Sequence, residues 1–215
     1  MSYDYSYKII FAGSVGVGKT SLIQKITSQD YNHELYSPTI GVEFNSIILK
    51  INDKNIKCRL WDTAGQETYN SLINVYFREI TGAVLVFDSH YQESLNDIEN
   101  IWIPQLKKNN IGRMPKIILV ENKSDLKRDI NNDILQDIIN KYDLLYIKTS
   151  VLHNTNTKDI LMKLCNYIDG HTDYGSLYEI GYKNIKSGYK DFLVNSKKSK
   201  YLDMNDNRDW CCKIC

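Results

Sequence analysis

The sequence has no excess of charge of either sign and no long apolar run. Its 27 Lys and Arg residues nearly balance 26 Asp and Glu residues, for a formal net charge of +1 at pH 7. Because positive and negative charges nearly cancel, the protein has no general attraction to DNA or RNA, and we expect no nucleic-acid partner. No stretch approaches the roughly 18 apolar residues of a membrane-spanning helix, and the first residues do not resemble a secretion signal.

Cysteine is also scarce, with five in 215 residues. Cys58 and Cys165 each lie alone in an apolar stretch, whereas the other three lie within the last five positions. This distribution argues against a disulfide framework or a zinc site. It predicts a protein of the reducing cytosol.

The most informative stretch is residues 13–20, which read G-x-x-x-x-G-K-T and are called the phosphate loop below. An apolar run precedes this loop and a periodic segment follows it, so the order is strand, glycine-rich loop and helix. The glycines let backbone N–H groups converge on an anion, and the helix dipole adds to the effect. Lys19 then suits the β- and γ-phosphates of a nucleotide, and the Thr20 hydroxyl suits Mg²⁺.

Strand and helix patterns alternate along the chain up to about residue 168. We expect strands at residues 7–13, 44–51, 55–62, 83–88, 116–120 and 144–148, and helices at residues 19–28, 70–80, 94–106, 132–141 and 156–168. Residues 52–54 predict a hairpin turn, Ser94 is expected to cap its helix, and Pro104 to kink or tighten that helix. The alternation predicts an α/β fold, with a mostly parallel sheet, helices on both faces, and ligands at the carboxyl ends of the strands.

Three further motifs follow predicted strands. In residues 62–67 (DTAGQE) the aspartate suits Mg²⁺ held through water, the glycine N–H suits a terminal phosphate, and the glutamine can orient an attacking water. In residues 122–125 (NKSD) the carboxylate can accept two hydrogen bonds from the N1/N2 edge of guanine. Thr149 and Ser150 follow another predicted strand, where backbone N–H groups can reach the base O6. Each motif alone fits an ordinary loop, but together they indicate a guanine-nucleotide site.

With these motifs the chain resembles a Ras-superfamily small GTPase, most closely the Rab family. The Rab-like features are residues 39–44 (TIGVEF), 61–67 (WDTAGQE) and 76–78 (YFR), and the resemblance spans about residues 7–168. It implies a P-loop NTPase fold with a doubly wound, six-stranded sheet and one antiparallel edge strand. It also implies a switch that hydrolyses GTP to GDP slowly and recruits effectors to membranes in vesicle trafficking.

The resemblance assigns roles to individual residues. Gln66 and Lys19 are the expected catalytic residues, and Thr20, Thr39 and Asp62 the expected Mg²⁺ site. The expected GTP/GDP contacts are Ser14, Val15, Gly16, Val17, Gly18, Lys19, Thr20, Ser21, Tyr31, Tyr36, Thr39, Gly65, Asn122, Lys123, Asp125, Ser150, Val151 and Leu152. The expected effector contacts are Ile40, Val42, Phe44, Trp61 and Tyr76, although core packing is an alternative for the three aromatic residues.

The last part of the chain differs in composition. We expect a GTPase domain at residues 1–169 and a flexible tail at residues 170–215, with a local net charge of +4 between residues 183 and 213. The tail ends in Cys-Cys-Lys-Ile-Cys, which resembles the prenylated ends of Rab proteins, with Cys211 and Cys212 as the expected lipid sites. A cysteine-rich end without function is the alternative.

Partners and location follow from the same resemblance. We expect a guanine nucleotide exchange factor, a GTPase-activating protein, effector proteins, a GDP-dissociation inhibitor and the prenylation machinery. The protein is expected to be a monomer that cycles between the cytosol and the cytosolic face of an intracellular membrane. The alternatives are a GTP-loaded binding module that scarcely hydrolyses GTP, a Rho-like GTPase, and a metabolic P-loop enzyme such as a nucleotide kinase.

The sequence also departs from the Rab pattern. The spacing from Lys19 to Thr39 is one residue longer than expected, Glu121 replaces a usual Gly, and residues 151–152 replace a usual Ala-Lys pair. Val15 stands where many members carry Gly or Ser, and its branched side chain is expected to crowd the γ-phosphate side of the site.

Overall fold

The computed structural model describes residues 2–27, 39, 41–63 and 75–171, and the structural statements below refer to these residues. The strands are β1 (Tyr5–Ala12), β2 (Val42–Ile51), β3 (Lys54–Thr63), β4 (Gly82–Asp88), β5 (Lys116–Asn122) and β6 (Leu145–Lys148). The helices are α1 (Lys19–Ile26), α2 (Gln92–Asp97), a π-helix (Ile98–Trp102), α3 (Ile103–Asn109), α4 (Asn132–Tyr142) and α5 (Asp159–Gly170). Within the described ranges, no helix has the length and apolar character needed to cross a membrane.

The six strands form one sheet in the order β2-β3-β1-β4-β5-β6. All neighbouring strands are parallel except β2 and β3, which are antiparallel at one edge. The predicted hairpin joins these two strands through Asn52 and Asp53, whose φ angles of 44° and 62° suit a two-residue turn of type I′. The predicted fold class is therefore confirmed.

Alternate side chains of the central strands enter two separate cores. From β1, Tyr7, Ile9 and Phe11 pack with α1 and α5 on one face of the sheet. Ile10 and Ala12 pack on the other face with the π-helix, α3 and α4. Because both faces are covered, the central strands are apolar throughout, and their carboxyl ends are the place where polar groups collect.

Two predicted helices have different bounds in the structure. Of the helix expected at residues 70–80, the described part contains helical residues only at Val75 and Tyr76, and a turn follows. Glu79 in this turn has a φ of 53°, a left-handed conformation that prevents a helix from continuing to residue 80. The last helix begins at Asp159 rather than residue 156, because Asn154 and Asn156 are also left-handed, with φ of 53° and 54°.

The helix after β4 also differs from its prediction. Tyr91, not Ser94, is the N-cap residue, and Ser94 lies inside α2, where its Oγ donates to the Tyr91 carbonyl at 2.6 Å. The chain does not tighten at Pro104 but widens into the π-helix just before it. Proline has no N–H to donate and its ring clashes with the carbonyl four residues back, so the regular α-helical pattern cannot continue through it.

Candidate functional site

The phosphate loop turns sharply between β1 and α1, and two of its glycines are required by close contacts. A Cβ on Gly13 would lie 2.1 Å from the Val86 carbonyl oxygen, and a Cβ on Gly18 would lie 2.5 Å from Asn122 Nδ2. Gly18 is also the N-cap of α1 with a left-handed φ of 96°. The loop therefore needs glycine at both positions, and it brings the N-terminus of α1 against β5.

The Lys19 side chain folds back and donates hydrogen bonds to the phosphate loop. Its Nζ donates to the carbonyl oxygens of Gly13 at 2.7 Å and Ser14 at 2.9 Å, and the residue is only 6% exposed. Burial lowers the pKa of Lys19 to about 8, and the charge of Asp62 opposes part of that shift. Within the described part of the chain the hydrogen bonds of Lys19 go to neutral oxygens, and a buried ammonium placed in this way is well suited to bind an anion.

Three oxygen-bearing side chains meet beside Lys19. Thr20 Oγ1 lies 2.7 Å from Thr39 Oγ1 and donates to Asp62 Oδ2 at 2.6 Å, while Thr39 Oγ1 lies 3.5 Å from the same Oδ2. Burial raises the pKa of Asp62, although the hydrogen bond from Thr20 acts in the opposite direction. Among the described residues the buried Asp62 Oδ1 has no hydrogen-bond partner.

This cluster fits Mg²⁺ by its chemistry and its spacing. Mg²⁺ binds hard oxygen ligands at about 2.0–2.1 Å, so neighbouring ligands of one octahedron lie roughly 3 Å apart. The oxygen separations of 2.6–3.5 Å agree with that distance. A cation would also offset the buried carboxylate charge, which otherwise lacks a full set of partners.

The NKSD motif, residues 122–125, is called the first base loop, and residues 149–152 are called the second base loop. Asn122 is buried, and its Nδ2 donates to the Val17 carbonyl at 2.8 Å, which ties the first base loop to the phosphate loop. The Ser150 hydroxyl donates to Asp125 Oδ1, and the Ser124 N–H donates to the Thr149 carbonyl at 3.0 Å. The two base loops are therefore joined by backbone and side-chain hydrogen bonds.

The phosphate loop, the start of α1 and the two base loops are together called the cleft below, and the remaining predicted nucleotide contacts lie in these segments. Val15 at the tip of the phosphate loop and Leu152 in the second base loop are 55% and 58% exposed, whereas Val151 is buried. Gly16 has a left-handed φ of 76°, and Ser21 lies in the first turn of α1.

Two acidic residues of this region were missed by the sequence reasoning. Asp88 Oδ2 pairs with Lys123 Nζ at 2.7 Å, and Asp97 Oδ2 accepts a hydrogen bond from Ser14 Oγ at 2.6 Å. Asp88 lies at the end of an apolar strand, where the other motifs also lie. Its position in the sequence could therefore have marked it as a candidate site residue. Asp97 carries no such signal, because its contact depends on how α2 packs against the phosphate loop.

Three aromatic side chains form a continuous cluster on the sheet edge. The ring centroids of Phe44 and Trp61 lie 5.1 Å apart, and those of Trp61 and Tyr76 lie 5.2 Å apart. Phe44 is 52% exposed, while Trp61 and Tyr76 are partly buried against the second core. Val42, another predicted effector contact, begins β2 opposite Thr63. Two rings of the cluster, Trp61 and Tyr76, therefore pack against the second core, and the Phe44 ring forms its exposed apolar tip.

Several predicted residues lie outside the described part of the chain. They are Tyr31, Tyr36, Ile40, Gly65, Gln66, Cys211 and Cys212.

Comparison with known proteins gives consistent matches. The model of the Ras family matches residues 8–169. The Ras-related protein Rab-11A of Dictyostelium discoideum is 40% identical over 158 residues, covering 73% of this chain and 72% of the relative. The Ras-related protein YPTC6 of Chlamydomonas reinhardtii is 36% identical over 168 residues (77% of this chain, 76% of the relative). RABA1h of Arabidopsis thaliana is 33% identical over the same length and the same shares of both chains.

Proposed function

Because the chain belongs to the Ras family of small GTPases and is similar to Rab proteins, we propose that the cleft described above is its nucleotide site. The protein is a guanine-nucleotide switch of vesicle trafficking that binds GTP or GDP with Mg²⁺ and hydrolyses GTP to GDP. The observation that carries the proposal is the 2.8 Å hydrogen bond from Asn122 to the Val17 carbonyl. It ties the phosphate loop to the first base loop, so the two segments proposed to hold the opposite ends of a nucleotide lie side by side.

At the phosphate end, the proposed roles follow from charge and position. The backbone N–H groups of the phosphate loop and Lys19 hold the β- and γ-phosphates. Thr20, Thr39 and Asp62 hold Mg²⁺, which when bound supplies positive charge against the phosphate oxygens. Gln66 orients the attacking water, and Lys19 offsets the negative charge that develops as the bond to the γ-phosphorus breaks.

At the base end, recognition depends on hydrogen-bond donors and acceptors. The Asp125 carboxylate accepts from N1 and N2 of guanine, an arrangement that adenine cannot offer. Ser150 holds that carboxylate in place. The backbone N–H groups of the second base loop are the proposed donors to O6. Lys123 packs its aliphatic chain on the base while its ammonium pairs with Asp88.

Nucleotide binding and turnover test this proposal together. The purified chain should bind fluorescent mant-GDP in a Mg²⁺-dependent way, exclude ATP, and convert [γ-³²P]GTP to GDP in single-turnover assays. GTP binding without measurable hydrolysis, even with an activating protein, would indicate a binding module instead. Equal competition by ATP and GTP would favour a P-loop enzyme of another class.

The aromatic cluster of Phe44, Trp61 and Tyr76 is the proposed contact for effector proteins. Its exposed tip beside residues that should change with the nucleotide suits a partner that distinguishes GTP from GDP. A pulldown from cytosol with the GTP-analogue-bound protein should recover partners that the GDP-bound protein does not, and Phe44→Ala should lose them. An exchange factor, an activating protein and a GDP-dissociation inhibitor are the other proposed partners.

Membrane attachment is proposed for residues 170–215, which we assign to a tail distinct from the GTPase domain at residues 1–169. Two lipid chains anchor a protein stably whereas one binds marginally, so geranylgeranyl groups on both Cys211 and Cys212 would suffice. The local net charge of +4 adds attraction to anionic lipids. The proposed location is the cytosolic face of an intracellular membrane, in exchange with the cytosol.

The two cysteines provide the test of that attachment. In cells, Cys211→Ser/Cys212→Ser should move from the membrane pellet to the soluble fraction, whereas Cys58→Ser should not. Continued sedimentation of the double variant with membranes would contradict lipid anchoring at these positions.

A further inference from the structure

The end of β5 contains a fully buried carboxylate next to the first base loop. Glu121 directly precedes Asn122 and has no exposed surface. Its two oxygens accept from Arg128, Oε1 from Nε at 2.7 Å and Oε2 from Nη2 at 3.2 Å. The Tyr146 hydroxyl also donates to Oε2, and Lys148 Nζ lies 3.8 Å from Oε1.

These contacts close the first base loop at its two ends. Glu121 lies just before residues 122–125, and Arg128 lies three residues after them. Arg128 is itself held by the Ile130 carbonyl at 3.1 Å and by Asn132 Oδ1 at 2.7 Å, at the start of α4. A bidentate ion pair therefore joins the two ends of the segment that carries the guanine-binding side chains. Glu121 belongs to β5, and Arg128 is hydrogen-bonded to the start of α4.

Glu121 also reaches the second base loop. Its carbonyl accepts from the Thr149 N–H at 2.8 Å, and Tyr146 is placed on β6 just before that loop. The backbone of Glu121 thus contacts the second base loop directly, and its side chain contacts residues that flank both base loops, Arg128 after the first and Tyr146 before the second. A carboxylate so deeply buried is costly unless its partners stay in place, so the contacts resist separation of the two loops.

We propose that Glu121 is a positioning residue for guanine recognition, which with Arg128 and Tyr146 holds the two base loops at the spacing that Asp125 and Ser150 require. Glu121 does not touch the nucleotide in this arrangement. It acts through the loops, and the inference rests on the proposed nucleotide site. Its loss should allow the loops to separate and the base to leave sooner.

Dissociation of mant-GDP from the full chain tests the proposal. Glu121→Gln and Arg128→Gln should each speed dissociation about tenfold, since each removes charge-assisted hydrogen bonds. The double variant should be no faster than the single variants, because both remove the same interaction. Glu99→Gln is the matched control: it breaks an ion pair of the same 2.7 Å length, between the π-helix and Lys141 of α4, and should leave dissociation unchanged.

A second readout separates positioning from general destabilisation. Inosine diphosphate lacks the N2 amine of guanine, so its release does not depend on the full contact with Asp125. Loss of positioning should speed GDP release more than inosine diphosphate release, whereas a mere loss of stability should speed both equally. Arg128→Lys keeps the charge, so its rate of GDP dissociation should lie between those of the wild type and Arg128→Gln.

The possible results have distinct meanings. If the wild type does not bind GDP, the proposed function fails; if it does and Glu121→Gln changes neither the rate nor the nucleotide ratio, only the positioning role fails. Equal acceleration for both nucleotides also overturns it. Should Glu121→Gln not fold, Tyr146→Phe removes a single hydroxyl contact, and a twofold faster GDP release would support the proposal while an unchanged rate would contradict it.

Discussion

The two ends of the cleft manage charge in opposite ways. At the base end the charged groups already have partners within the protein: Lys123 pairs with Asp88, and Asp125 accepts from Ser150. At the phosphate end, among the described residues, Lys19 donates hydrogen bonds only to neutral carbonyls and one oxygen of Asp62 has no hydrogen-bond partner. The pKa of Lys19 is lowered and that of Asp62 raised, so burial disfavours the charged form of both groups.

This difference separates the sources of specificity and affinity. The base end is held in shape by internal hydrogen bonds, so it can select a hydrogen-bonding pattern without rearranging. The phosphate end places opposite charges where phosphate and Mg²⁺ would stabilise them, so ligand binding should relieve an unfavourable burial. Changes at the base end should therefore alter which nucleotide binds, and changes at the phosphate end should alter how tightly and how long it stays.

The largest expected effect comes from changing the hydrogen-bonding group that recognises the base. Asp125→Asn should weaken GTP binding about a thousandfold, because two charge-assisted hydrogen bonds are lost, and should favour xanthosine triphosphate, which carries an oxygen where guanine has an amine. Competition binding of the two nucleotides measures the exchange. Equal affinity of the variant for both would show that Asp125 does not read the base.

A pair of lysines compares the two ends directly. Lys19→Met should reduce affinity for GDP about a hundredfold, because a buried ammonium facing phosphate is lost. Lys123→Met keeps an aliphatic chain of similar length beside the base, and should reduce affinity only severalfold. Titration with mant-GDP measures both variants, and equal losses would contradict the proposed division between the ends.

Much of the fold could be predicted because the decisive signals are local. An apolar run, glycines and Lys19 in sequence define the first strand, loop and helix, and Asn52 and Asp53 suit a hairpin turn by their own conformational preferences. The remaining strands have apolar runs, and parallel strands place their following loops at one edge. That geometry brings residues 62, 122–125 and 149–150 to the same cleft.

Other features could not be predicted because they arise from contacts between distant parts of the chain. Cys58 and Cys165, isolated in sequence, meet in the core with their sulfur atoms 3.5 Å apart, both as free thiols. The hydrogen bond between Ser14 and Asp97 likewise joins a loop to a helix that no local pattern relates to it. Glu121 was visible as a departure from the Rab pattern, but its partners on two other elements were not.

The pH dependence of GDP binding tests the role of Lys19 at the phosphate end. Burial lowers the pKa of Lys19 to about 8, and a bound phosphate should raise it again, so binding should take up a proton above that pH. GDP affinity should therefore fall about tenfold as the pH rises from roughly 7.5 to 9.

Calorimetry in buffers of different ionisation enthalpy measures the proton uptake. Lys8 provides the control, because burial also lowers its pKa to about 8 but its ammonium donates to the Arg78 carbonyl, away from the phosphate loop. Lys8→Met should retain the pH dependence. A flat profile in the wild type would mean that the charge of Lys19 is not linked to phosphate binding.

The smallest expected effect concerns Val15 at the phosphate end. Its side chain is 55% exposed at the tip of the phosphate loop, and as a β-branched residue it has little freedom at χ1 to turn aside. From the resemblance to Ras-superfamily proteins we expect it to face the γ-phosphate, where it would crowd Gln66 and the catalytic residue of an activating protein. Since catalysis of phosphoryl transfer depends mainly on positioning, such crowding should slow hydrolysis more than it weakens binding.

Val15→Gly should therefore speed intrinsic or assisted GTP hydrolysis about threefold to tenfold and leave GTP affinity almost unchanged. Single-turnover hydrolysis and mant-GTP titration on the same preparations separate the two effects. Leu152→Ala, which shortens a similarly exposed side chain in the second base loop, is the matched control and should not change the hydrolysis rate. Unchanged or slower hydrolysis in Val15→Gly would show that neighbouring residues make room for the valine, and that the rate of this GTPase is limited elsewhere.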